Sequence, residues 1–191
     1  MRSLLRPQTK HAAIRYVYIG ETKNCGLGIF AAKRFRRGEI VFSVEDPAYY
    51  YNARPFQELV DRGYKSDDLF QVGLDLFIPP SGNIDDYTNH SCDPNSGIRL
   101  TDSGFIVLSL REIAVGEEVT YDYSTYLNNF FESMICRCGS SKCRGIVGNF
   151  WALPDDLRRR YIELDIVGHF AAEPAASEGR RQLAASGAAR R

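Results

Sequence analysis

Cys136-Arg137-Cys138-Gly139-Ser140-Ser141-Lys142-Cys143-Arg144-Gly145, read together with Asn89-His90-Ser91-Cys92, decides the architecture of this chain. Cys136 and Cys138 are too close in sequence for an ordinary disulfide, and three thiols in so short a run rarely all meet the separations that bridges demand. A metal accounts for them better. Zn²⁺ takes thiolates at ~2.3 Å and wants four ligands in a structural site. The run supplies three, and the fourth comes from Cys25 or Cys92, so that one ion would clamp two distant segments together.

The bulk of the sequence bounds the function classes. A chain of 191 residues fits one domain with a sizeable core. Lys+Arg and Asp+Glu balance at 24 each, which argues against a protein whose main task is to coat nucleic acid or anionic membrane. The termini are locally basic, with Arg2, Arg6, Lys10, His11 and Arg15 at one end and Arg180, Arg181, Arg190 and Arg191 at the other. Both are expected to fray, and the tail from Glu173 has the composition of a disordered segment. No run approaches the ~18 apolar residues of a membrane span, and the N-terminus lacks the apolar core of a secretory signal. The five cysteines, an odd number and clustered, fit a reducing intracellular compartment. Cys25, left over, reads as a half-buried small residue in a glycine-rich turn.

Short β-branched and aromatic runs dominate. Strands are expected over 14–19, 28–32, 39–44, 74–78 and 104–110, with a further strand over 119–123 after the turn at Gly116-Glu117-Glu118. Residues 55–72 read as a short helix and loop. Pro154-Asp155-Asp156 starts a helix reaching about Ile166, with Leu157, Tyr161 and Leu164 on one face. No internal repeat is present. The class is mainly β, a β-rich α+β fold.

Four separated motifs stand in the order of a SET domain, the protein-lysine methyltransferase fold, followed by its cysteine-rich post-SET segment. Asn24-Cys25-Gly26-Leu27-Gly28-Ile29-Phe30-Ala31 resembles the family's glycine motif. Tyr87-Thr88-Asn89-His90-Ser91-Cys92-Asp93-Pro94-Asn95 resembles its central signature. Gly116-Glu117-Glu118-Val119-Thr120-Tyr121-Asp122-Tyr123 is similar to the tyrosine motif, and residues 136–145 to the post-SET cluster. The chain departs from the pattern at Leu27, where a large aromatic is frequent, and at Tyr87-Thr88, where phenylalanine and an aliphatic residue are more usual. The resemblance implies several small sheets with a pseudoknot-like threading. It implies a SET domain over 14–133, a zinc segment over 134–150, a helical extension over 151–172 and a disordered tail over 173–191.

It also assigns roles. Cys92 becomes the fourth zinc ligand beside Cys136, Cys138 and Cys143. Gly26, Leu27 and Gly28, with Asn89, His90 and Tyr123, are expected to hold S-adenosylmethionine, His90 mainly through its backbone. Taken alone, Gly26-Leu27-Gly28 serves a strand turn as readily as a ligand, and Tyr-Asp-Tyr reads as two core aromatics. On one strand, Tyr121 and Tyr123 would leave the same face and line a channel, with Asp122 turned away to hold a turn. Tyr123 is expected to position the lysine amine and the transferring methyl. Tyr121 stands where phenylalanine tends to permit higher methylation and tyrosine restricts it, so the product is expected to be mono- or dimethyl-lysine. Phe150 and Trp151 read equally as core or as a cover for the donor.

The implied substrate is a lysine-bearing protein, a histone tail or another protein. The implied location is the nucleus of a eukaryote or otherwise the cytoplasm. Nothing reads as a nucleic-acid reader, so targeting is expected from a partner or from the site. Asp85, Asp86, Glu112, Glu117 and Glu118 are candidates for an acidic rim, although charged surface is the commoner explanation. The competing reading is a zinc-stabilised module that binds a lysine peptide without turnover.

Overall fold

The computed structural model describes residues 14–128 and 133–173. The expected basic termini apart from Arg15, and the tail beyond Glu173, lie outside the described residues. In chain order the strands are β1 (Val17–Glu21), β2 (Leu27–Ala31), β3 (Ile40–Glu45), β4 (Phe70–Gly73), β5 (Leu76–Ile78), β6 (Asn89–His90), β7 (Ser96–Thr101), β8 (Gly104–Ser109), β9 (Glu118–Tyr121), β10 (Met134–Ile135) and β11 (Ile146–Val147). The α-helices are α1 (Phe56–Asp61), α2 (Asp155–Glu163) and α3 (His169–Ala172). The fold is mainly β, in small sheets with few helices. No helix among the described residues is long and apolar enough to cross a membrane.

One sheet runs β1-β2-β9-β6, antiparallel except that β6 lies parallel to β9. A second is the antiparallel β3-β8-β7; β4 with β5, and β10 with β11, make two ribbons. Alternation in β8 turns Phe105, Val107 and Ser109 inward, and in β9 it buries Val119 and Tyr121. Ile29, Val107 and Val119 are wholly buried, each worth about 1.5–3 kcal/mol of hydrophobic stabilisation. An aromatic chain leads from this core to the site. Phe42 packs on Phe105, Phe105 on Phe70, Phe70 on Tyr126 and Tyr126 on Tyr121, with centroids 5.4–6.4 Å apart.

Several local expectations change. Residues Ile14–Tyr16 form a 3₁₀ turn, because the partner strand β2 ends at Ala31 opposite Val17. Leu74 and Asp75 make the turn between β4 and β5 rather than the start of a strand. β4 and β7 stand where no strand was read. Helix α2 stops at Glu163 because Asp165 enters the left-handed region at φ 53°, a conformation that aspartate tolerates better than most residues.

Candidate functional site

The tyrosine motif builds the centre of the site. β9 ends at Tyr121, and Tyr123–Tyr126 form a 3₁₀ turn whose N-cap, Asp122, accepts a hydrogen bond from the Ser124 N–H at 3.1 Å. Tyr121 and Tyr123 therefore do not share a strand face, as the alternation predicted. The turn brings their rings together instead, with centroids 4.8 Å apart and planes 43° to one another. Both line a cavity of about 760 Å³ whose wall also includes Tyr49, Phe105 and Asn89. The Tyr123 hydroxyl donates to the Thr88 carbonyl at 3.0 Å, and that of Tyr126 to the Ile98 carbonyl at 3.0 Å. The hydroxyls of Tyr121 and Tyr49 have no hydrogen-bond partner among the described residues. Burial pushes Tyr121 and Tyr123 above the usual phenol range, and neighbouring groups add to it, so both stay protonated at neutral pH.

His90 does more than its sequence context implied. Its Nδ1 accepts the Tyr123 N–H at 3.1 Å, which leaves the proton on Nε2, 3.2 Å from Cys92 Sγ. Burial pushes the ring down to about 4 against the opposing pull of Asp122, so the imidazole is neutral. Its 3.7 Å approach to Asp122 is accordingly no ion pair. The side chain, rather than the backbone alone, ties the turn carrying Tyr123 to the sulfur cluster.

Asp122 is almost wholly buried. Its two oxygens accept both terminal nitrogens of Arg144 at 2.8 Å, and Oδ2 also accepts the Tyr161 hydroxyl at 3.1 Å. The turn-holding role expected of Asp122 is present, but the bidentate pair with Arg144 and the tie to α2 were missed. Nothing local to Arg144 could reveal them, since its partner lies 22 residues away.

The sulfurs of Cys92, Cys136, Cys138 and Cys143 all lie within 4.8 Å of one another. A tetrahedron of sulfurs at ~2.3 Å from a zinc ion has edges of about 3.8 Å, so the set matches one ion in size and in donor type. The backbone N–H of Arg144 donates to Cys92 Sγ, and that of Gly145 to Cys143 Sγ, each at 3.4 Å. Burial raises Cys92 and Cys136 above the usual thiol range, whereas at Cys138 hydrogen bonds from neighbouring groups outweigh burial and bring the thiol down to about 7; metal binding would require all four as thiolates. Cys25 stands outside this group. It is exposed rather than half-buried, and its N–H is held by Thr22 Oγ1.

The glycine motif forms the turn entering β2. Gly26 has φ 78°, and its carbonyl accepts the Thr22 N–H at 2.7 Å. Asn89 Nδ2 donates to the Leu27 carbonyl at 2.9 Å, joining the motif to the central signature. Of the acidic candidates, Asp85 and Asp86 line the cavity, as does Asp68, which was missed. Glu112 pairs with Arg34, Glu117 with Arg111, and Glu118 with Asn89, and none of the three lines the cavity. Phe150 is core, whereas Trp151 is partly exposed under the Arg158 guanidinium; neither lines the cavity.

Comparisons with known proteins agree with this arrangement. The family model "SET domain" matches residues 26–124, which is 99 of the 191 residues. The variant-silencing SET domain-containing protein of Plasmodium falciparum is 30% identical over 144 residues, covering 68% of this chain and 6% of that protein. Histone-lysine N-methyltransferase ASHR3 of Arabidopsis thaliana is 29% identical over 152 residues, covering 75% of this chain and 29% of that protein. The chain thus spans less than a third of either relative. The methyltransferase domain of human SETMAR superposes with a TM-score of 0.52 at 21% identity, covering 70% of this chain and 58% of that one, a likeness of fold. With residues 26–31 of the glycine motif, the central signature and the tyrosine motif through Tyr123 inside a matched span of more than half its length, the chain belongs to the SET domain family.

Proposed function

We propose that the chain transfers a methyl group from S-adenosylmethionine to the ε-amine of a lysine in a protein substrate, a histone tail or another protein, and stops at the mono- or dimethyl product. The observation that carries this reading is the tyrosine-lined cavity, whose wall includes Asn89, the residue hydrogen-bonded to the Leu27 carbonyl of the glycine motif. Gly26, Leu27, Gly28, Asn89 and His90 would hold the donor, with Tyr123 at the shared wall. The fit is supported by the exposure of residues 25–27 beside a polar asparagine. When bound, S-adenosylmethionine supplies a methyl carbon activated by the sulfonium.

The chain's own residues must deliver a neutral amine. A lysine of pKa ~10.4 is uncharged only ~0.04% of the time at pH 7, equivalent to about 4.6 kcal/mol. Aromatic walls at Tyr121, Tyr123 and Phe105 strip water from the ammonium and so lower that pKa. The Tyr123 hydroxyl already donates to Thr88 and is held protonated, which suits it to position the amine rather than to accept its proton. The free Tyr121 hydroxyl occupies room that an added methyl would need. Cys92, Cys136, Cys138 and Cys143 would hold one Zn²⁺ that fixes the residues next to Asn89 and His90. In a eukaryotic cell a histone substrate would put the protein in the nucleus.

Incubation with isotope-labelled S-adenosylmethionine and a mixed protein extract, followed by mass spectrometry, tests this. Label on lysine side chains is expected, with little trimethyl product, and Tyr123→Phe should lower transfer far more than donor binding. Donor binding without any transfer by the native chain would instead favour the binding-module reading.

A further inference from the structure

Arg144 is joined to two parts of the cavity wall, although it does not line the cavity itself. Tyr121 and Tyr123 enter the wall from the tyrosine turn, and Ser133 and Met134 enter it where the β10–β11 ribbon begins. Arg144 lies in the connection between the two strands of that ribbon, next to Gly145, whose carbonyl accepts the Cys136 N–H at 2.9 Å. Its guanidinium grips Asp122, the residue between the two tyrosines, through two bonds of 2.8 Å, and donates to Ser124 Oγ at 3.3 Å. The Arg144 side chain is only 19% exposed, so the grip is largely withdrawn from water.

These contacts form a closed circuit. The Arg144 N–H donates to Cys92 Sγ, which lies 3.2 Å from His90 Nε2. His90 Nδ1 accepts the Tyr123 N–H, and Tyr123 follows Asp122, which returns to the guanidinium. Asp122 is where the chain changes direction, from the end of β9 at Tyr121 into the 3₁₀ turn of Tyr123–Tyr126. The bonds from Ser124 and Thr125 to Asp122 lie within that turn and fix its shape, not its place. Toward the sulfur cluster, hydrogen bonds to His90 and from Arg144 set its place, and of the two only Arg144 belongs to the segment that also carries Met134. Without the guanidinium, the buried Asp122 carboxylate would keep two neutral donors, Ser124 N–H and the Tyr161 hydroxyl. A carboxylate so placed relieves its desolvation by moving toward water, and that movement turns the residue that aims Tyr123.

We propose, on the methyl-transfer reading above, that Arg144 is a positioning residue for the reaction: its two-point hold on Asp122 fixes the Tyr123 turn against the ribbon that carries Met134, so that the rate of transfer depends on a side chain outside the cavity. Displacing a reacting group by about 1 Å costs about a hundredfold in rate, and half of that displacement about tenfold. Lysine in place of Arg144 keeps the positive charge but offers a point contact where the guanidinium spans both carboxylate oxygens. Charge and position can therefore be separated.

The test uses the full chain, with calorimetry of S-adenosylhomocysteine to count donor-binding sites and the lysine peptide labelled in the extract experiment as substrate. Arg144→Lys should bind the thioether and the peptide within about threefold of the wild type, while kcat per binding site falls by about tenfold or more. In Arg144→Ala, millimolar methylguanidinium should restore much of kcat, and methylammonium, with the same charge and no fork, should not. An unchanged kcat per site in the lysine variant overturns the proposal, as does a raised KM with kcat intact. A rate lost only in step with the number of binding sites overturns it in favour of a purely structural role, and equal rescue by both cations overturns it in favour of charge. Should the alanine variant fail to fold, the lysine variant decides. A wild-type chain that labels no lysine in the extract overturns the proposal together with the methyl-transfer reading, whereas labelling by the wild type with an unaffected lysine variant overturns the proposal alone.

Discussion

Two side chains show how much chemistry a single residue carries here. The Asp122 carboxylate accepts from three donors: the Arg144 guanidinium, the Tyr161 hydroxyl and the Ser124 N–H. Asparagine in its place would turn an amide toward some of them and leave the half-buried Arg144 charge without its partner. Removing one member of a buried ion pair costs about 3–5 kcal/mol, and the partial exposure of Arg144 puts the expectation at the lower end. Asp122→Asn should therefore lose about 3 kcal/mol in denaturant unfolding; a loss within experimental error would mean that the network contributes nothing net. Tyr121 is the converse case, a buried ring whose hydroxyl has no partner among the described residues. Tyr121→Phe removes that oxygen from the cavity wall while keeping the ring, so intact-mass analysis should show products shifting toward higher methylation with stability barely changed. An unaltered product distribution would remove Tyr121 from the account of specificity. That Tyr121 and Tyr123 line one cavity was legible in the sequence, but not for the geometric reason given, because the strand that would have put them on one face ends between them, and Asp122 was read only as holding a turn.

At the scale of elements, the sequence reveals strands where apolar residues run together and hides them where pairing does the work. β8 reads clearly from its alternating Phe105 and Val107. β7, Ser-Gly-Ile-Arg-Leu-Thr, offers only the short alternation of Ile98 and Leu100 after a serine and a glycine, and is fixed by its six-residue register with β8. β6 is two residues long and is held by the parallel pairing of Asn89 and His90 with Thr120 and Tyr121. The cysteine segment is legible for the opposite reason, since thiol spacing reports ligation chemistry directly. Its elements are slight: β10 and β11 pair over two residues each. With so little backbone pairing, residues 134–147 are tied to the body of the fold mainly through the Arg144–Asp122 pair, and an ion on the four sulfurs would add a second tie. Purified protein should contain one zinc per chain by atomic emission. Chelation should lower the melting temperature by about 10 °C, as a loss of several kcal/mol implies for a chain of this size. It should also release the Tyr123 turn through His90. Metal-free protein with an unchanged melt would exclude a structural ion.

Viewed as a whole molecule, charge is distributed in a way that the composition conceals. The chain is formally neutral, yet the described cavity wall carries Asp68, Asp85 and Asp86 and no lysine, arginine or histidine. Positive charge is drawn off elsewhere, as with Arg34, Arg111 and Arg144, each paired to a carboxylate. Only Asp85 and Asp86 were singled out in the sequence, and they stood among glutamates that turn out to be occupied, because linear position does not say which acids share a wall. A cavity of one sign focuses its field on an approaching ligand of the other sign, and screening acts over a Debye length of about 10 Å at 0.1 M salt and 3 Å at 1 M. For a lysine peptide flanked by further basic residues, KM should therefore rise by about tenfold between 0.05 and 0.5 M salt, with kcat nearly constant. The same lysine between neutral residues should respond little. Asp68→Asn with Asp85→Asn should flatten the basic peptide's dependence toward that of the neutral one, because these acids stand at the cavity and not at the reacting atoms. Equal salt slopes for the two peptides on the native chain would show that the field of this wall takes no part in choosing the substrate.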